Sequence, residues 1–366
     1  MKYWQIMAGS ASRDYSEDFL RYGIAFVGGE GNIKAIESIH QGDLIVLKRG
    51  MSEILAVGRV VDRNGKIKGN ATNETERDME WLRDYDGWDL PAYCFVDWHV
   101  PPDPEPVKGL TRATVEGVNL QVLREIADRI YNSSVPKTPE DHLPGPTEAL
   151  EDHEILTHLI GLGLSPSTAD MLTTTFGRVR LLASYYYTRC NWEDVREHET
   201  RTFLIVPLLL ALGWSEQQMK IELGAGGKRI DIACFRRAYR RDAKNNPNNG
   251  DCALILESKG FSQGLDYAHT QGKGYATWFS SCQVVIASNG YCYKAYQRND
   301  QGDGFSVEPS AYLNLLRPRK QYSRNPDVKG GLALLELLLP NASSSIRDLG
   351  HISCVDATAA AGGRDL

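Results

Sequence analysis

The sequence predicts an α/β core, a mixed sheet flanked by helices, in the carboxy-terminal half. An α+β or β-barrel domain precedes it, and a helical segment lies between the two. Three observations carry this. Residues 191–300 change period along the chain and read as helix, three strands, helix and two strands. Residues 1–100 hold short apolar runs rich in β-branched residues and bounded by turn residues. The stiff stretch Pro101-Pro102-Asp103-Pro104-Glu105-Pro106 then separates them from segments with helical spacing. The expected division is 1–105, a helical linker domain over 106–190, the α/β domain over 191–325, and a short helix with a disordered tail over 326–366.

Taken in order, Gly28-Gly29-Glu30-Gly31-Asn32 reads as a loop, and Leu44–Leu47, Ile54–Val61 and Ala92–Val100 as strands. Val118–Tyr131 has apolar residues near helical spacing. Val135–Pro146 is a Pro-rich loop, and helical patterns resume at Thr147–Leu162 and at Ser167–Tyr187, after the start signal Ser165-Pro166-Ser167. A helix over Val195–Leu212 stops at Gly213, a C-cap residue. Strands are expected at Met219–Glu222, Arg229–Phe235, Ala253–Ser258, Gln283–Ser288 and Tyr291–Tyr296, with a helix over Gly264–Phe279. Asn289-Gly290 signals a type I′ hairpin turn. A short apolar helix is expected at Gly331–Leu339.

Composition narrows the function classes. With 42% apolar and 24% charged residues, the 366-residue chain can build true cores. A net charge of −6 argues against a protein that coats nucleic acid. Charge is uneven, however, and Lys228–Lys244 is basic: either a solvated face or an edge that contacts phosphates. Seven cysteines without a CxxC pair argue against a zinc ribbon or a redox motif. No apolar run is long enough for a bilayer and the start lacks a signal-peptide pattern, so a cytoplasmic protein with no membrane contact is expected.

The chemistry-bearing pattern is Asp231 inside the apolar strand Arg229–Phe235 and Glu257-Ser258-Lys259 at the end of another. Residues two apart in a strand share a face, so Glu257 and Lys259 leave the strand together. Metal-assisted cleavage of a phosphodiester needs carboxylates converging on one point, with a Lys to position water or stabilise developing charge. Magnesium prefers hard oxygen ligands and keeps several waters, so two or three carboxylates suffice. A lone Glu-x-Lys is more often a salt-bridged strand end.

The order of elements around these residues resembles the PD-(D/E)XK nuclease superfamily, and within it the nuclease domain of type I restriction motor subunits. The likeness runs from Glu197 to Tyr296. It comprises a helix opened by Glu199-Thr200-Arg201, the acid in Lys228-Arg229-Ile230-Asp231, the Glu257-Ser258-Lys259 triplet, Gln271-Gly272-Lys273-Gly274-Tyr275 as the QxxxY element, and a closing hairpin at Asn289-Gly290. One departure is Ile230, where the superfamily often has Pro before the first acid. The resemblance implies that Asp231 and Glu257 hold Mg²⁺, or Mn²⁺ in its place, that Glu199 completes the metal shell, and that Lys259 positions water. Gln271 and Tyr275, one helical turn apart, would contact substrate or hold Lys259. His269 is either a proton shuttle or a surface residue.

The first hundred residues, with Tyr3-Trp4, Gly42-Asp43-Leu44-Ile45-Val46-Leu47 and Ala56-Val57-Gly58-Arg59-Val60, resemble the PUA-like superfamily and its EVE-type branch. That resemblance implies a reader of RNA or of modified bases flipped from DNA. Trp4, Phe26, Trp81 and Trp88 are the candidate pocket residues; Trp81 and Trp88 lie in a polar, loop-like context that suits exposed aromatics stacking on a base. The expectation is a modification-dependent restriction endonuclease acting on DNA, dimeric or larger at least on DNA, since one chain carries one site. The alternatives are a defence nuclease triggered by RNA or a nucleotide signal, and a non-catalytic nucleic-acid-binding protein.

Overall fold

The computed structural model describes residues 1–9, 13–189, 194–225, 227–240, 251–299 and 304–340. The architecture is mixed α/β, with two mixed sheets. In chain order the first part comprises β1 (Tyr3–Met7), α1 (Ser16–Tyr22), β2 (Ile24–Val27), α2 (Glu30–Glu37), β3 (Leu44–Arg49), β4 (Glu53–Val60), β5 (Lys68–Asn70), a 3₁₀ segment (Glu74–Asp84), β6 (Ala92–Val100), β7 (Glu105–Pro106), β8 (Val115–Gly117), α3 (Gln121–Ser133) and β9 (Val135–Pro136). Its sheet runs β2-β6-β4-β3-β1-β8, with β1 and β3 parallel. Leu44 and Val46 face a core made with Leu123, Ala127 and Ile130 of α3, while Ile45 and Leu47 face a core with Phe19, Phe26 and Trp98. Burial on both faces explains why β3 reads as an unbroken apolar run.

The second part comprises α4 (Asp152–Gly161), α5 (Pro166–Arg189), α6 (Glu197–Thr200), a π turn (Arg201–Ile205), α7 (Val206–Ala211), β10 (Met219–Ala225), β11 (Lys228–Phe235), β12 (Cys252–Ser258), α8 (Ala268–Ala276), β13 (Val284–Ser288), β14 (Cys292–Gln297), β15 (Ala311–Asn314) and α9 (Gly331–Leu338). Its strands lie in chain order, β10 to β15, all antiparallel except the β12–β13 pair that α8 connects. Leu159 of α4, Leu172 and Phe176 of α5, and Leu334, Leu335 and Leu338 of α9 bury in the same core as this sheet.

Packing therefore divides the chain elsewhere than expected. The segment 106–190 is no separate helical linker domain: α3 completes the first part, and α4 and α5 belong to the second. Glu30, expected in a loop, starts α2. The turn at Asn289-Gly290 forms, but only Gly290 is left-handed, so it is not type I′, which needs two such residues. That geometry occurs instead at Asp86-Gly87, with φ of 50° and 88°, where Tyr85 and Trp88 exchange backbone hydrogen bonds of 2.8 and 3.0 Å. Arg241, Lys244, Cys190, Cys354 and the tail over 341–366 lie outside the described residues. Among the described residues no helix is long and apolar enough to cross a membrane.

Candidate active site

β11 and β12 carry the acids. Ile232 pairs with Leu256, which sets Asp231 opposite Glu257 one step beyond the last paired residues. Asp231 Oδ2 accepts hydrogen bonds from the Ser258 backbone N–H at 2.7 Å and its hydroxyl at 2.8 Å. Asp231 Oδ1 accepts from Arg201 Nη1 at 2.9 Å. Glu257 is 1% exposed. Its Oε1 accepts from Lys259 Nζ at 2.6 Å, and its Oε2 is enclosed with no partner. Burial pushes the Glu257 carboxyl up to about 7; the charges of Asp231 and Glu197 add to the rise and Lys259 opposes it.

Glu197, not Glu199, is the helix acid that feels this site. Burial and the charge of Asp231 raise its carboxyl, with Lys259 and Arg201 opposing. The physical reason is helix phase: Glu197 lies four residues before Arg201 and shares its face, whereas Glu199 lies about 200° round. Glu199 is half-buried, with Oε2 enclosed and unpartnered. The π turn follows directly, with the Val206 N–H donating to the Arg201 carbonyl five residues back. Pro207 lies in the first turn of α7, where its missing N–H leaves no bond of that helix broken. Across the sheet Glu222, opposite Asp231 in the β10–β11 ladder, has a φ of 53°, costly for a non-glycine residue. Its carboxylate accepts from Arg201 at 3.3 Å and from Arg229 at 3.1 Å.

Asp231, Glu257 and Lys259 thus come together, and Glu197, Arg201, Ser258 and Glu222 join them. Gln271 and Tyr275 hold each other instead of Lys259: Gln271 Nε2 donates to the Tyr275 hydroxyl at 2.7 Å. Gly272 between them lies on β12 and β13, where a Cβ would meet Val285 at 2.7 Å and Glu257 Cβ at 3.7 Å. His269 stacks on Tyr296 at 4.4 Å in a polar cavity that also takes in Asp266 and Lys294; burial and the charges of Lys273 and Lys294 push it down to about 4.

Of the aromatic candidates in the first part, three are walls of its core. Trp81 and Phe26 are fully buried and pack on each other at 5.6 Å. Trp81 sits in the 3₁₀ segment, whose apolar side turns inward, so its polar neighbours do not expose it. Trp4 donates to Asp43 at 3.1 Å. Trp88 lines a large cavity, of about 630 Å³, with Tyr15, Asn32 and Leu90 from the first part and Tyr187 and Ser262 from the second.

Among the described residues no three acidic, His or Cys side chains converge closely enough to make a ready metal cage. Magnesium does not require one, since waters and substrate phosphates fill its shell beside one or two carboxylates. The donors present are hard oxygens, and the enclosed, unpartnered Glu257 Oε2 is an oxygen that a cation would satisfy. Neither protein-family models nor curated proteins give a match to this chain.

Proposed function

We propose that the chain is a magnesium-dependent endodeoxyribonuclease that acts on DNA carrying a modified base, manganese serving as a substitute. The observation that carries the reading is Glu257, a buried carboxylate with one oxygen unpartnered, beside Asp231 and Glu197 and held by Lys259. Lys259 and Arg201 offset only part of the cost of gathering these acids, since the Glu257 and Glu197 carboxyls stay raised, and such perturbed groups mark functional sites. Bound magnesium supplies charge neutralisation at the scissile phosphate. Asp231 and Glu257 would hold it, with Glu197 as the third acid. Lys259, 21% exposed at its side chain, can leave Glu257 to orient the attacking water or to donate to a phosphate oxygen. The order of elements shared with PD-(D/E)XK nucleases supports the same assignment.

The base-reading half rests on the cavity at Trp88, whose aromatic walls and partly polar rim suit a planar base. Cutting both strands calls for two sites, so the reading includes a homodimer or larger assembly on DNA. The decisive experiment is cleavage of matched plasmids that differ only in cytosine modification, with Mg²⁺ present. The modified plasmid should be cut and the unmodified one spared, and Asp231→Ala or Lys259→Ala should abolish cutting. Equal cutting of both plasmids would remove the reader. No cutting of any DNA with Mg²⁺ or Mn²⁺ would remove the nuclease, and cutting of RNA alone would change the substrate.

A further inference from the structure

The Trp88 cavity is closed by both parts of the molecule. The loop bearing Trp88 belongs to the first part in sequence yet is seated on the second: Asp86 pairs with Lys294 at 2.7 Å, and a Cβ on Gly87 would meet Cys292 Sγ at 2.5 Å. Arg13 lies on the Trp88 ring, its guanidinium 4.1 Å from the centroid. The same guanidinium donates to the Ser262 carbonyl at 2.6 Å and the Asp86 carbonyl at 3.3 Å.

Ser262 sits in the turn that leaves the catalytic strand. At one end of that turn is Lys259, whose N–H donates to Ser288 at 2.8 Å. In its middle, the Phe261 N–H donates at 3.0 Å to the carbonyl of Val195, two residues before Glu197. At its far end, the Gln263 carbonyl accepts from Asn289 at 2.9 Å. One short turn thus fixes Lys259, the entry to the helix of Glu197 and a wall of the cavity.

We propose that this cavity couples base binding to catalysis: a planar base seated against Trp88 clamps Arg13 onto the Ser262 carbonyl and orders the 259–263 turn that positions Lys259 and Glu197. This rests on the base-reading proposed above. A base adds a second stacking partner to Trp88, and an aromatic ring between a base and a guanidinium binds both more firmly. Ordering one segment that two sites share is a coupling free energy, and it acts in both directions.

The test uses the full chain and 5-methyl-2′-deoxycytidine as probe, with amide hydrogen exchange read over 259–263 at saturating probe. Exchange there should slow by about tenfold in the wild type. In Arg13→Lys, which keeps the charge and loses the forked bridge, it should slow little, and the ratio of cutting rates on modified and unmodified plasmid should fall towards one. Trp88→Leu should abolish probe binding by calorimetry. A probe that binds through Trp88 without changing exchange at 259–263 overturns the coupling and leaves base-reading standing. An Arg13→Lys variant that keeps the full cutting ratio also overturns it. Absence of binding by the nucleoside, together with equal cutting of the two plasmids, removes the reader itself and the coupling with it.

Discussion

Glu257 carries an enclosed oxygen with no hydrogen-bond partner, and its proton equilibrium makes a sharp prediction. Its carboxyl lies at about 7 in the folded chain against 4.5 for an ordinary Glu. Folding therefore takes up a proton between these values, and the stability it contributes is lost as pH rises from about 4.5 through about 7. Glu257→Gln removes that loss. In EDTA at pH 8 the variant should be more stable than wild type by about 1–3 kcal/mol, a tenfold change in proton affinity being worth ~1.4 kcal/mol. The advantage should shrink towards pH 5 while DNA cutting is abolished; parallel denaturant curves for the two proteins at both pH values would refute the burial argument. Glu197 and Glu199 give a second contrast. Because Glu197 shares the face of Arg201, Glu197→Gln should lower the cutting rate about ten- to hundredfold. Glu199→Gln should stay near wild type, and steady-state rates on one plasmid decide between them.

At the scale of elements, the strands that carry the acids were legible because strand period and an acid–base pair at the end of an apolar run are local signals. Asp231, Glu257 and Lys259 follow from them. Glu197 was not legible, since two acids in one short helix differ only in phase, and phase shows only once Arg201 reaches from the helix to Asp231 on β11. The type I′ turn was misplaced for a similar reason. Asn289-Gly290 and Asp86-Gly87 are comparable local signals, and Asp86 is driven to positive φ in a turn whose tip the second part anchors through Lys294. β15 carries too short an apolar run to stand out, and it is recognised only as the partner of β14. The α8 element makes its own prediction. Gly272 lets that helix lie against β12 and β13, so Gly272→Ala must push Val285 aside. Overpacking of this kind costs about 1–3 kcal/mol. Thermal unfolding should show the loss, and cutting should fall with it because Glu257 lies beneath the same contact.

At the scale of the molecule, charged groups from both parts are buried where the parts meet. Asp86 accepts from Lys294 at 2.7 Å and from Arg324 at 3.0 Å, and Tyr322 donates to it as well. Burial works against the charge of Asp86, but Lys294 and Arg324 hold its carboxyl well below the ordinary carboxylate range. Lys294 is likewise buried, and the carboxylates of Asp86 and Asp266 keep it charged. Asp84, fully enclosed nearby, accepts from Asn314 at 2.8 Å and from Tyr312 at 3.0 Å. Such pairs contribute little net stability relative to an apolar contact, yet removing one member leaves the other buried and unpaired. Asp86→Ala should therefore destabilise the protein by about 3–5 kcal/mol. The loss should fall on the junction, because each part keeps its own core. Wild-type unfolding should be one transition, seen alike by amide exchange in β3 and β4 of the first part and in β12 and β13 of the second. In Asp86→Ala the two probes should separate. Coincident transitions in the variant, or a loss below about 1 kcal/mol, would mean that the buried charges do not hold the parts together.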